Sequence, residues 1–103
     1  MSNFTKEQAG IIRQAISEYN SKVENMDRSG TLVFAMVDSA QKVVCVLKVP
    51  LNGNPSFGIA RCSPEDRFVA PIGKILALDR AGGKRPRQDY LHFFCGGDAQ
   101  CAK

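Results

Sequence analysis

A chain of 103 residues supports one domain with a single modest core, and its 44% apolar and 23% charged residues are the composition of a globule, not of a disordered segment. No run approaches the roughly 18 to 20 apolar residues that cross a bilayer, and no basic region followed by an apolar run opens the sequence, so no membrane partner is expected and a cytoplasmic location is. Fourteen Lys and Arg against ten Asp and Glu leave a net charge of +4, and the stretch 61–87 holds the whole surplus, which predicts one face that attracts anions.

Thr5-Lys-Glu-Gln8 is a capping-box pattern, in which the Thr5 hydroxyl accepts from the Gln8 amide and the Gln8 side chain reaches back. Ile12, Ala15, Ile16, Tyr19, Val23 and Met26 follow at the three-and-four spacing of one buried helical face, with Arg13, Glu18, Lys22 and Glu24 turned to water. Asp27-Arg-Ser-Gly30 ends this first helix with turn formers and a glycine suited to a left-handed conformation. Segments 31–37 and 42–49 are rich in β-branched residues and joined by Asp38-Ser-Ala-Gln41, a β-hairpin pattern. Both are apolar at successive positions rather than alternating, which predicts strands covered on both faces, one by helix and the other by a second subunit. Pro50-Leu-Asn-Gly-Asn-Pro55 turns the chain into a third strand at 56–62. Pro71 suits a first helical position, Ile72, Ile75 and Leu76 form an apolar stripe, and Gly82-Gly83 stops a second helix of about three turns.

The resulting fold class is α+β: helix, three-stranded antiparallel meander, helix, a two-layer domain over 1–83 with both helices on one sheet face. Residues 84–103 form a C-terminal tail packed on or near it, basic at Lys84-Arg-Pro-Arg87 and aromatic at Tyr90-Leu-His-Phe-Phe94. Its pattern indicates no particular element.

Four cysteines in a reducing compartment are expected as thiols. Cys45 and Cys62 lie in apolar, strand-like runs, where a thiol acts as a small core hydrophobe. Near the only histidine three arrangements stay open: free thiols, a Cys95 to Cys101 disulfide, and a zinc site of His92, Cys95 and Cys101 with a fourth ligand such as Cys62. Free thiols lead, because the close ligand pairs of a structural zinc site are missing, and no cofactor is expected.

No catalytic constellation emerges either. Gly83-Lys84 is followed by Arg85 where a phosphate-binding loop needs Ser or Thr. One histidine near a tail makes no His-based triad, and Glu65-Asp66 beside arginines has ion-pair rather than acid–base character.

Within 58–81, Gly58-Ile-Ala-Arg61, Pro64-Glu-Asp66, Ile72-Gly73 and Leu76-Ala77-Leu-Asp-Arg80-Ala81 resemble the pattern of a bacterial family of unknown function with a double-stranded-RNA-binding-domain-like fold. The stretch is also similar to small proteins encoded by bacteriophages, and covers about a quarter of the chain. The resemblance implies a helix-backed meander and, for a phage protein, a host-takeover or counter-defence role in the host cytoplasm. Ala60, Gly73 and Ala77 are explained by close helix–strand packing, and Asp66 by a turn whose amides it accepts. Domains that grip RNA duplexes resemble this fold but carry a lysine cluster at the start of the second helix, where Pro71-Ile-Gly-Lys74 supplies one.

Three non-enzymatic functions follow. The leading one is a homo-oligomer that sequesters a phosphate-bearing ligand, such as a nucleotide signal, with Arg61, Arg67, Arg80, Lys84, Arg85 and Arg87 as charge-assisted donors. Arg61 and Arg80 would form its clamp, or else pair with Asp66 or Asp79. The second is nucleic-acid or ribosome association through the same residues. The third is an inhibitor docking on a host or defence protein with the aromatics of 90–94 as anchors, unless these close the core.

Overall fold

The computed structural model describes residues 4–62, 67–85 and 87–95, the last four of them by backbone alone. Helix α1, Lys6–Arg28, starts as its capping box demands: Thr5 Oγ1 accepts from Gln8 N and Gln8 Oε1 accepts from Thr5 N, both at 3.0 Å. Two amides that a helix start leaves orphaned are thereby satisfied. The helix buries Ala15 and lays Ile11, Ile12, Tyr19, Val23 and Met26 against the core. Gly30, at φ +88°, then turns the chain into the sheet.

Strands β1 (Leu32–Asp38), β2 (Val43–Val49) and β3 (Ser56–Arg61) form an antiparallel meander in that order. The hairpin between β1 and β2 is closed by the Asp38 carboxylate, which accepts from Gln41 N at 3.1 Å, and by Lys42 in the left-handed region at φ +56°. Cys62 N donates to Lys42 O at 2.9 Å and extends the β2–β3 ladder by one step.

Helix α2, Ala70–Ala81, carries Pro71 in its first turn and ends at Gly82, where Lys84 N donates to Asp79 O at 2.8 Å. Ile72, Ile75, Leu76, Ala77 and Leu78 are all buried, because α2 is wedged between the sheet on one side and helices on the other. It lies close to β3. A Cβ placed on Gly58 would stand 2.1 Å from Ala77 O, 2.5 Å from Ala81 N and 2.9 Å from Arg80 Cβ. Across the other side of α2, the buried Asp79 carboxylate accepts from Lys22 Nζ of α1 at 2.9 Å.

The α+β class, with helix, three-stranded meander and helix, is the one the sequence predicts. One element is additional: α3, Gln88–Cys95, within the tail. Its Tyr90 is fully buried and donates its hydroxyl to Glu18 Oε1 of α1. Burial, then the bond to Glu18, pushes the Tyr90 phenol up from its ordinary value. Among the described residues no helix is long and apolar enough to cross a membrane.

Two predictions follow from these contacts. Gly58→Ala drives a methyl into helix backbone that has no rotamer with which to yield, so urea denaturation is expected to show a loss of at least about 3 kcal/mol. A loss near zero would mean that α2 is not seated on Gly58. For Tyr90, the folded state keeps its proton at pH values where the unfolded phenol, with a pKa of ~10, has released it. That contribution is whole below about pH 10 and is lost as pH rises further. Melting temperature should therefore fall more steeply above this pH in the parent protein than in Tyr90→Phe; parallel curves would contradict the assignment.

Candidate functional site

The strand register aligns four rows of side chains: Leu32 with Val49, then Phe34–Leu47–Phe57, Met36–Cys45–Ile59 and Asp38–Val43–Arg61. The intervening rows contain Val44, Val46, Gly58 and Ala60, which are buried under the helices, so strand alternation puts the four named rows on the opposite face. No described element covers that face. Leu32 is 52% exposed, Phe34 51%, Met36 61%, Phe57 63% and Ile59 37%. Its two charged residues, Asp38 and Arg61, stand at the two ends of one row. A contiguous apolar patch of this extent stands at the upper end of what a lone globular chain exposes.

The edges of the sheet differ. Arg80 Nη1, reaching down from the last turn of α2, donates to Ile59 O at 2.8 Å on the outward side of β3 and blunts that edge. Strand β1 is exposed at Ala35 and Val37 even on the helix side, because α1 covers only its start, at Val33.

The six predicted cationic donors are spread along the molecule. Arg61 closes β3 and is exposed. Cys62 Sγ donates to Arg67 O at 3.6 Å, which sets the exposed Arg67 next to that strand end, its guanidinium 4.7 Å over the Phe4 ring. Arg80, Lys84 and Arg85 lie at or beyond the C-terminal end of α2, a helix of twelve residues and therefore about 18 Å long. Burial lowers the Arg80 pKa from its ordinary value, though a guanidinium stays charged. Arg87 is held by carboxylates of its own chain, Asp89 at 3.0 Å and Glu18 at 3.7 Å, and lies 5.1 Å over the Tyr90 ring. Lys74, the single lysine near the start of α2, has its Nζ 5.7 Å over Tyr19.

Among the described residues no three His, Cys, Asp or Glu side chains gather as metal ligands would. Cys45 is a half-buried thiol and Cys62 a buried one, neither of them in a disulfide. The side chains of His92 and Cys95, and all of Cys101, lie outside the described residues, as do Glu65 and Asp66. An open cleft of about 290 Å³ between α1 and the start of β1 is lined by Asn20, Val23, Glu24, Asp27, Thr31, Leu32 and Val33. Its two carboxylates make it unsuited to an anion. Of the aromatics considered as docking anchors, Tyr90 closes the core instead; Phe93 and Phe94 have side chains outside the described residues.

The chain matches no protein-family model, no curated protein and no solved structure. Function is therefore read from the surface itself. The apolar runs of β1 and β2 announce a two-faced sheet in the sequence, whereas Phe57 and Ile59 of β3 become part of the patch only through the register.

If Arg80 acts chiefly as a brace for β3, Arg80→Ala should cost about 1 to 2 kcal/mol in urea denaturation, and Lys84→Ala with Arg85→Ala less than about 0.5 kcal/mol. The reverse order would mean that Arg80 is not what braces β3.

Proposed function

We propose that this is a non-enzymatic binding protein whose working surface is the bare face of the sheet, used to dock on protein. The observation that carries this reading is the unbroken apolar field formed by Leu32, Phe34 and Met36 with Phe57 and Ile59 across the sheet. Their exposed fractions amount to roughly 600 Å² with the half-covered β2 residues between them, about 15 kcal/mol of gross hydrophobic free energy unrealised in the lone chain. The costs of association, about 4 to 15 kcal/mol or more, are of the same order, so the area permits a specific contact without fixing its strength. The resemblance to small phage-encoded proteins supports a host-takeover or counter-defence setting.

A second reading is capture of a phosphate-bearing ligand, or of nucleic acid, by the exposed Arg61, Arg67, Lys84 and Arg85. Their exposure favours it. Against it stand their separation by the length of α2, and the position of Lys84 and Arg85 past the negative end of that helix, where cations are stabilising without any ligand.

Cys45 sits in the middle of the bare face and reports on it. Maleimide labelling, resolved by peptide mass spectrometry, should be fast in highly diluted purified protein and suppressed at the same dilution in extract of the cells that produce it. Phe34→Ser with Phe57→Ser should restore labelling in extract while leaving the melting temperature nearly unchanged. Equal and fast labelling in both settings, and in concentrated purified protein as well, would remove the docking reading. Titration with a nucleotide at low and high salt tests the second: heat of binding that vanishes with salt supports it, and none at low salt excludes it.

A further inference from the structure

We propose that the docking surface is closed by a second copy of this chain, the two sheets packing face to face about a two-fold axis that runs along β2 between them. The inference rests on the docking reading above and names its occupant. Three observations point to it.

The first is size. Two faces of roughly 600 Å² bury about 1,200 Å², the lower bound for a stable specific interface before the rim is added.

The second is the match of rows. Rotation about an axis parallel to the strands exchanges β1 with β3 and keeps each row at its level. Phe34 then lies over Phe57 of the second copy and Met36 over Ile59 of the second copy, while Leu47 and Cys45 meet their own counterparts near the axis. Bulky residues of the two edge strands pair, and the small Cys45 sits at the centre. The twist of each sheet turns this into the aligned packing of about 30° usual for two sheets.

The third is charge. Asp38 and Arg61 occupy opposite ends of one row, so the same rotation sets Asp38 beside Arg61 of the second copy, twice per dimer. The other in-plane axis, across the strands, would lay Asp38 over Leu32 of the second copy and bury a carboxylate against hydrocarbon, which is costly. An edge-to-edge dimer is the remaining competitor. The bond from Cys62 N to Lys42 O sets the ladder alternation, which turns N–H and C=O of Val33, Ala35 and Val37 away from β2. Pairing two β1 edges through these groups would leave Phe57 and Ile59 as bare as before.

Sedimentation equilibrium over the micromolar range, against a chain mass of 11.3 kDa, should show a reversible dimer. Leu47→Asp, which brings two carboxylates together at the axis, should give a folded monomer by circular dichroism. Asp38→Arg should weaken association about tenfold, and adding Arg61→Asp should recover most of it. If Leu47→Asp does not fold, a bismaleimide spanning about 10 Å, the separation of packed sheets, should link Cys45 to Cys45 of the second copy in the parent protein. A protein that stays monomeric throughout overturns the second copy as occupant and leaves the docking reading to the labelling test. A dimer that survives Leu47→Asp, or gives no Cys45 link, and is broken by Ala35→Pro instead, overturns it in favour of edge pairing.

Discussion

The molecule is organised around the contact of α2 with Gly58. A strand residue with any side chain would hold the helix away; with hydrogen at this position, Ala77 O and Ala81 N come down onto the strand backbone. Ala60 and Ala77, both fully buried, continue the same small-residue track. Little side-chain area is gained there. What is gained is proximity, which places α2 deep enough to be buried on two sides, with Ile72, Ile75 and Leu76 in the core and Asp79 turned toward α1. The remaining helices then attach to α2 or to each other: α1 through Lys22 and Asp79, α3 through Tyr90 and Glu18.

That placement leaves the helical layer off-centre. It is seated over β2 and β3, so Val44, Val46 and Ala60 are sealed, whereas β1 is open on both faces from Phe34 onward. The same seating brings Arg80 within reach of Ile59 O, so one sheet edge is blunted as a by-product of helix position. The surplus of positive charge in 61–87 acquires a structural meaning in the same way. Arg80, Lys84 and Arg85 gather where α2 ends, at the pole of a helix that favours cations, and Arg67 and Arg87 lie on the aromatic rings of Phe4 and Tyr90.

How much of this is legible in the sequence depends on how local each signal is. The capping box at Thr5, the left-handed Gly30 and the stop at Gly82 are decided within four residues, and each stands where the pattern puts it. The uninterrupted apolar character of β1 and β2 predicts strands covered on both faces; the helices cover one face of β2, whereas β1 is exposed on both faces from Phe34 onward. Helix α3 is hidden because eight residues are too few for a periodic stripe, and its anchor, Tyr90, finds Glu18 at a distance of 72 positions along the chain. Gly58 is visible as a glycine, but only the descent of α2 onto it explains why. The cations illustrate the opposite limit: composition counts them, while their division between the two ends of α2 depends on the fold.

A two-layer domain of this length leaves a larger share of its surface unburied than a bigger domain does, and here the shortage falls on one side of a three-stranded sheet. Face-to-face pairing turns two such half-cores into a four-layer body, with helices outside and sheets within, without lengthening the chain. Asp38 and Arg61 would take on a further role in that setting: two opposite charges at the ends of one row admit one two-fold arrangement and penalise the other. Most of the exposed cations remain outside the contact, since Arg67, Lys84 and Arg85 belong to the helical layer and its ends. A paired molecule would therefore keep these cations in solvent, in two symmetric copies, apart from the apolar contact.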